Sequence, residues 1–184
     1  MKLFIASDIH GSNFFAEKMI AAYKQEKCDK LVLLGDILYH GPRNDLPKEY
    51  APKKVIPLLN ELKDEIIAVR GNCDAEVDQM VLDFPIMDDY KIIDADGVKI
   101  CITHGHIYNE EKLPQESFDV LLSGHTHIPK KLSKENCICM NPGSVSIPKE
   151  DSHHGYMIFE NGKFIWKDFE GKEIFIKEEK ANEF

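Results

Sequence analysis

Asp8-Ile9-His10, Gly35-Asp36, Gly71-Asn72-Cys73-Asp74, His104-Gly105-His106 and Gly124-His125-Thr126-His127 follow one another along a chain of 184 residues. Carboxylate and amide oxygens together with imidazole nitrogens are the donors that divalent first-row metals take. Each motif stands just after an apolar run that reads as a β-strand, and α/β sheets collect their ligands at strand ends. A single histidine is most often a core or surface residue satisfied by hydrogen bonds. A series of such motifs outweighs that bland reading and points to a centre for two divalent metals. A carboxylate shared between such ions holds them ~3.5–4 Å apart, and a water between them becomes a hydroxide nucleophile near neutral pH.

The elements that must position these residues are legible in outline. Leu3-Phe4-Ile5-Ala6 is a short buried strand, and Leu31-Val32-Leu33-Leu34 is a second. Between them Ser12 reads as an N-cap, with Phe15, Met19 and Ala22 at helical spacing, so the span is a parallel βαβ unit. The stretch from Gly35 to Pro52 is loop-like, and Val55, Ile56, Leu58, Leu59 and Leu62 have helical spacing around Pro57, where a kink or restart is expected. Ile66-Ile67-Ala68-Val69 is the third strand. The second half is strand-rich. Asp96-Gly97 predicts a hairpin between Tyr90–Ala95 and Val98–Thr103, and Asn161-Gly162 one between Tyr156–Phe159 and Lys163–Trp166. Phe118–Leu122 and Cys137–Met140 read as further strands, and the charged tail from Lys177 to Phe184 as frayed. Motifs in both halves imply a single domain over 1–184, with its site between two sheets.

Composition narrows the partners. Hydrophobic content of 43% and charged content of 30% describe an ordinary soluble globule. The first residues are too short an apolar run for a secretory signal, and no run approaches the ~18 residues of a membrane span, so a cytoplasmic location is expected. Five scattered cysteines (Cys28, Cys73, Cys101, Cys137, Cys139) make no disulfide framework, and Cys137 and Cys139 read as small buried hydrophobes on one face of a strand. A net charge of −9 argues against duplex nucleic acid, which demands many phosphate contacts. A homo-oligomer is left open. His40, His153 and His154 are expected at the surface.

The series Asp-x-His, Gly-Asp, Gly-Asn-x-Asp, Gly-His, Gly-His-x-His resembles the calcineurin-like metallophosphoesterase superfamily, from residue 8 to about 148. Gly71-Asn72-Cys73-Asp74, His40-Gly41-Pro42-Arg43-Asn44 and Asn141-Pro142-Gly143-Ser144-Val145-Ser146 draw it toward that superfamily's small bacterial phosphodiesterases. The resemblance implies an α/β fold of two facing, mixed sheets flanked by helices, a four-layer α-β-β-α arrangement with metals at one end. It implies that Asp8, His10 and His127 bind one metal, that Asn72, His104 and His125 bind the other, and that Asp36 bridges them. Mn²⁺ is the ion implied, with Zn, Fe, Ni, Mg and Co also compatible. The implied reaction is hydrolysis of a small phosphodiester by in-line attack of the bridging hydroxide. Two divalent ions against two carboxylates and a hydroxide leave roughly +1, which draws a diester monoanion in spite of the acidic surface.

Three further residues are candidates for catalysis: Cys73, Arg70 and His106. Cys73 stands where many members carry a histidine that assists the departing oxygen. Nearby cations would lower its thiol from the ordinary ~8.5, and a thiolate donates no proton. Its alternative role is to fill space. The arginine that protein phosphatases carry downstream of their Gly-Asp is missing, which leaves Arg70 and Arg43 to replace its charge. His106 lies near the site by alternation along its strand but matches no ligand position. The turn at Asn141-Pro142-Gly143-Ser144 could shape the site through its backbone amides, or simply turn the chain. The rival functions are a phosphomonoesterase or nucleotide phosphatase on the same metals, and a protein-binding scaffold such as the retromer subunit of this fold. A scaffold tolerates lost ligands, and here none is lost.

Overall fold

The computed structural model describes residues 1–180. Strand β1 (Leu3–Ala6) is buried along its whole length because it lies at the centre of a sheet covered on both faces. It leads into helix α1 (Asn13–Glu26), whose N-cap is Ser12; the Ser12 hydroxyl accepts from the Phe15 amide at 3.3 Å. Phe15, Met19 and Ala22 are buried, as their spacing requires. Strands β2 (Lys30–Leu33) and β3 (Ile66–Ala68) continue the parallel run beside β1.

Helix α2 (Pro52–Asn60) joins β2 to β3 and runs through Pro57 without a restart. Proline there removes only the bond to the Lys53 carbonyl four residues back. Both residues are exposed, so water can satisfy that carbonyl. A single further turn, α3 (Glu76–Gln79), follows β3.

Both hairpins form where the turn residues place them. Strands β4 (Tyr90–Ala95) and β5 (Val98–Thr103) pair from Tyr90↔Thr103 to Ala95↔Val98, and Asp96 and Gly97 both take positive φ. Strands β9 (Gly155–Glu160) and β10 (Lys163–Asp168) close through Asn161 and Gly162 in the same way. Strands β6 (Val120–Leu122), β7 (Lys130–Ser133) and β8 (Ile138–Asn141) complete the second half, with two short pieces, β11 (Glu173–Ile174) and β12 (Glu178–Lys180). Lys130–Ser133 carries two lysines and no alternation, and sequence reading missed it. The tail is not frayed throughout. β12 pairs in parallel with β7, and Lys131 meets Glu178 at 2.6 Å. The rest of the expected frayed tail, residues 181–184, lies outside the described residues.

The strands make two six-stranded mixed sheets, ordered β11-β10-β9-β1-β2-β3 and β12-β7-β8-β6-β5-β4. Period-two alternation divides the first sheet's side chains. Leu3, Ile5, Val32 and Leu34 face Ile100, Ile102, Val120 and Leu122 across the sandwich. Phe4, Ala6, Leu31 and Leu33 pack under α1 and α2. The outer face of the second sheet is covered by Phe118 and Leu113 from the segment 104–119, over Cys101, Leu121, Cys137 and Cys139. Cys137 and Cys139 are buried thiols, with sulfurs 4.0 Å apart. His154 and His40 depart from their expected place at the surface: both are half-buried, and His154 stacks on Phe15 at 4.0 Å.

One polar knot ties α1 to the first sheet. Glu26 accepts from Lys167 at 2.7 Å, Lys2 at 3.3 Å and the Tyr156 hydroxyl at 3.2 Å. Burial works to raise the Glu26 carboxyl, but the two lysines outweigh it and hold it below the ordinary glutamate range. A carboxyl lowered in the fold binds fewer protons than in the unfolded chain, so its contribution is full above the unfolded pKa and fades as pH falls through the folded one. Glu26→Gln should therefore cost about 1–2 kcal/mol near pH 7, discounted for partial exposure. In urea unfolding that deficit should shrink below about pH 4.5. A deficit that stayed constant down to pH 3 would show that the lysine pairing is not its source.

Candidate metal centre

Five of the residues that follow the strands take a left-handed backbone: Asp8 (φ 59°), His10 (49°), Asp36 (54°), His125 (66°) and His127 (63°). Non-glycine residues adopt that region at a cost and persist in it only where the surroundings impose it. The effect here is that each chain turns sharply at its strand end and aims a donor side chain inward. Gly71 permits a close approach, since a Cβ there would stand 2.1 Å from Asp36 Oδ1.

The donors form two adjoining clusters. In the first, Asp8 Oδ1 lies 3.1 Å from His127 Nε2 and 3.5 Å from His10 Nε2. In the second, His104 Nε2 lies 3.0 Å from Asn72 Oδ1 and 3.3 Å from His125 Nδ1. Asp36 stands between them, with Oδ2 3.6 Å from His10 Nε2 and 3.4 Å from His104 Nε2. Its Oδ1 accepts from the Cys73 amide at 2.8 Å, which holds the carboxylate in place. All seven residues predicted as ligands are thus together.

The donor set fits divalent cations. His10, His104 and His127 each turn Nδ1 to a backbone carbonyl, of Tyr39 (2.7 Å), Leu34 (2.7 Å) and Ile147 (2.8 Å). Such a bond takes the ring proton at Nδ1 and leaves Nε2 as a lone pair aimed at the centre. His10 Nε2 and His127 Nε2 then face one another at 3.4 Å, an arrangement that a cation relieves. Asp8 is fully buried, and its Oδ1 has no hydrogen-bond partner.

Charge follows the same pattern. Burial works to raise Asp8, yet His10 and His127 overcome it and hold the carboxyl well below its ordinary range. Burial likewise opposes ionisation of Asp36, and His104 prevails in lowering it. Burial pulls His104 down, while Asp36 and Asp8 together carry it up to about 9. A metal at Nε2 takes the place of that proton.

Sequence reading missed the residues that brace the donors. Asp74 is buried and accepts from the amides of Gly71 (2.7 Å), Asp36 (2.8 Å) and Ile37 (2.9 Å), so one carboxylate clamps two of the motif loops together. Burial pushes Asp74 above its ordinary range despite those amides. Ser144 and Ser146 donate their hydroxyls to the Asp8 carbonyl at 2.9 and 3.1 Å. The Asn141 amide donates to the Gly124 carbonyl at 2.7 Å. The Asn-Pro-Gly-Ser turn therefore shapes the site through the side chains of Asn141 and Ser144. Its presence among the quoted motifs was the available signal; its partners are more than 100 residues away for the serines.

Cys73, Arg70 and His106 have separate fates. A cavity of about 420 Å³ opens above Asp36, and Cys73 lines it together with Asn72, His125 and His127. Burial and the Asp36 charge push the Cys73 thiol up to about 12 before any cation acts on it. Arg70 and His106 do not line that cavity. Arg70 Nε donates to the Asp74 carbonyl at 3.4 Å, across the turn that follows it. The His106 ring lies 5.3 Å from that of His104, outside both donor clusters.

Against known proteins, the model of the calcineurin-like phosphoesterase superfamily domain matches residues 1–163. The chain belongs to that superfamily. Together with 49% identity to a named phosphodiesterase, membership makes it a hydrolase of phosphate esters. Phosphodiesterase YfcE of Escherichia coli K12 is 49% identical over 125 residues, 67% of this chain and 68% of that protein. A solved structure of the E. coli YfcE phosphoesterase superposes with a TM-score of 0.91 at 44% identity, covering 95% of this chain and 97% of the other. Vacuolar protein sorting 29 of Cryptosporidium parvum shares the fold alone, with a TM-score of 0.61 at 16% identity over 90% of this chain and 94% of its own.

Proposed function

We propose that this chain is a dinuclear-metal phosphodiesterase that hydrolyses a small phosphodiester by in-line attack of water. The observation that carries the reading is the Asp36 carboxylate, held between two donor clusters in the floor of an open cavity. Asp8, His10 and His127 would hold one ion, Asn72, His104 and His125 the other, and Asp36 both. When bound, such ions supply Lewis acidity and bring the pKa of water toward neutrality. The mixed nitrogen and oxygen donors suit Mn²⁺. The 49% identity to a phosphodiesterase supports the substrate class.

The chain's own residues orient and exclude. The carbonyls of Tyr39, Leu34 and Ile147 lock the imidazoles in one tautomer, and Asp74 holds the Asp36 loop rigid. Cys73 lines the cavity with a thiol rather than an imidazole that could protonate a departing oxygen, so leaving groups must depart on their own acidity. Both sheets end in donor residues, which supports one catalytic domain over 1–184. We place it in the cytosol, where its free cysteines would stay reduced. No helix of the described residues is long and apolar enough to cross a membrane.

Diesters should be preferred to monoesters, because a monoester dianion gains most from an arginine at the reacting phosphate. Arg70 is engaged with the Asp74 backbone instead, and Arg43 stands exposed at the cavity's mouth. With Mn²⁺, kcat/KM for bis(p-nitrophenyl) phosphate is expected to exceed that for p-nitrophenyl phosphate by about tenfold or more. The reverse order would establish the phosphomonoesterase in its place.

A further inference from the structure

Apart from the donor residues, the charged side chains lining the cavity above Asp36 are both cationic: Arg43 and Lys149. Each is exposed, and among the described residues neither has a carboxylate within ion-pair distance. In a chain of net charge −9, two unpaired cations at one opening call for a physical reason.

Their backbones are tied to the donor segments. Arg43 sits in a turn closed by the Asn44 amide on the Gly41 carbonyl (3.4 Å) and by the Asn44 side chain on the His40 carbonyl (2.9 Å). The adjoining Tyr39 carbonyl orients His10. Lys149 donates its amide to the His127 carbonyl at 3.2 Å, and its own carbonyl accepts from Ser152. Two separate segments thus each present one cation at the mouth, Lys149 bonded to the donor residue His127 and Arg43 in a turn that adjoins the residue orienting His10. A phosphodiester carries a single negative charge, which the centre itself can meet. The rim cations therefore serve charge elsewhere on the substrate.

We propose that the preferred substrate is a phosphodiester with a second anionic group, a phosphate monoester, on one of its two arms, and that Arg43 and Lys149 grip that group. This rests on the phosphodiesterase reading above. Arginine supplies a planar fork for two phosphate oxygens and lysine a compact point charge. The second group takes no part in bond making: water oxygen bonds to the reacting phosphorus, the bond to the leaving oxygen breaks, and the water proton ends on that oxygen or in solvent.

The test uses p-nitrophenyl thymidine 5′-phosphate with and without a 3′-phosphate, on the Mn²⁺-loaded protein at low ionic strength. The 3′-phosphorylated ester is expected to show a kcat/KM about tenfold higher, chiefly through KM. In Arg43→Ala with Lys149→Ala that ratio should fall to within about twofold of unity, whatever the absolute rates. Absence of the preference in wild type, or an equal fall for both esters in the variant, would overturn the proposal. Calorimetric titration of thymidine 3′,5′-bisphosphate against thymidine 5′-phosphate gives a reading independent of turnover. The bisphosphate should bind wild type about tenfold tighter and lose that margin in the variant. Should neither ester be hydrolysed while the binding margin holds, the diesterase reading fails and the anion grip stands; equal binding of the two nucleotides sinks the grip itself.

Discussion

Asp36→Asn is expected to abolish turnover, with a fall in kcat/KM of at least about 10³-fold, more than the loss of one transition-state donor usually costs. The carboxylate lies within 3.4–3.6 Å of imidazoles from both donor clusters, so neutralising it weakens both cation sites together. The amide keeps an oxygen able to accept from the Cys73 N–H, the bond that Asp36 Oδ1 makes at 2.8 Å. Folding should therefore survive, and circular dichroism should be unchanged. Metal analysis after gel filtration should find close to two Mn²⁺ per chain in the wild type and well under one in the variant. A wild type that turns over fully with a single tightly bound ion would refute the two-metal assignment. A variant that keeps both ions and loses activity would leave Asp36 a chemical role but remove its role as the shared ligand.

Asp74→Ala should be the most destabilising single change near the centre. Three buried amides, those of Gly71, Asp36 and Ile37, lose their acceptor at once. A buried N–H without a partner costs about 1–3 kcal/mol, so the total should reach about 3–5 kcal/mol after partial relaxation. At roughly 2–4 °C per kcal/mol for a chain of this size, the melting temperature should fall by about 10 °C. Metal affinity should fall with it, because the loop that carries Asp36 is no longer pinned. Asp74→Asn keeps one acceptor oxygen and should sit between the two. A melting temperature within 2 °C of wild type for Asp74→Ala would mean that water replaces the carboxylate, and the clamp would lose its claim.

Asp74 also marks where sequence reading stops. It closes the motif Gly71-Asn72-Cys73-Asp74, but nothing local distinguishes a metal ligand, a catalytic acid and an acceptor for backbone amides. Two of the amides it holds belong to a loop more than 30 residues earlier. Ser144 and Ser146 are the same case at a longer range, since their partner is the Asp8 carbonyl. Arg70 and His106 show the same limit, since a missing arginine and strand alternation single them out in the sequence, while in the fold neither side chain lines the cavity above Asp36.

The chain by itself determined the donor types, their place at strand ends, and the strands and hairpins whose signals are local. Ser12 caps α1 because the cap bond spans three residues, and Asp96-Gly97 turns because both residues accept positive φ. A series of motifs each set by its neighbours is enough to identify a family. Only the tertiary structure decided which donors share a cluster, since Asp8 meets His127 across 119 positions. It decided that Pro57 sits inside α2, where solvent rather than sequence makes the lost bond tolerable. It decided that polar Lys130–Ser133 becomes a strand, because the exposed edges of β8 and β12 supply the hydrogen bonds its own pattern does not announce. Local chemistry is written in short stretches; distance between residues far apart in the chain is a property of packing.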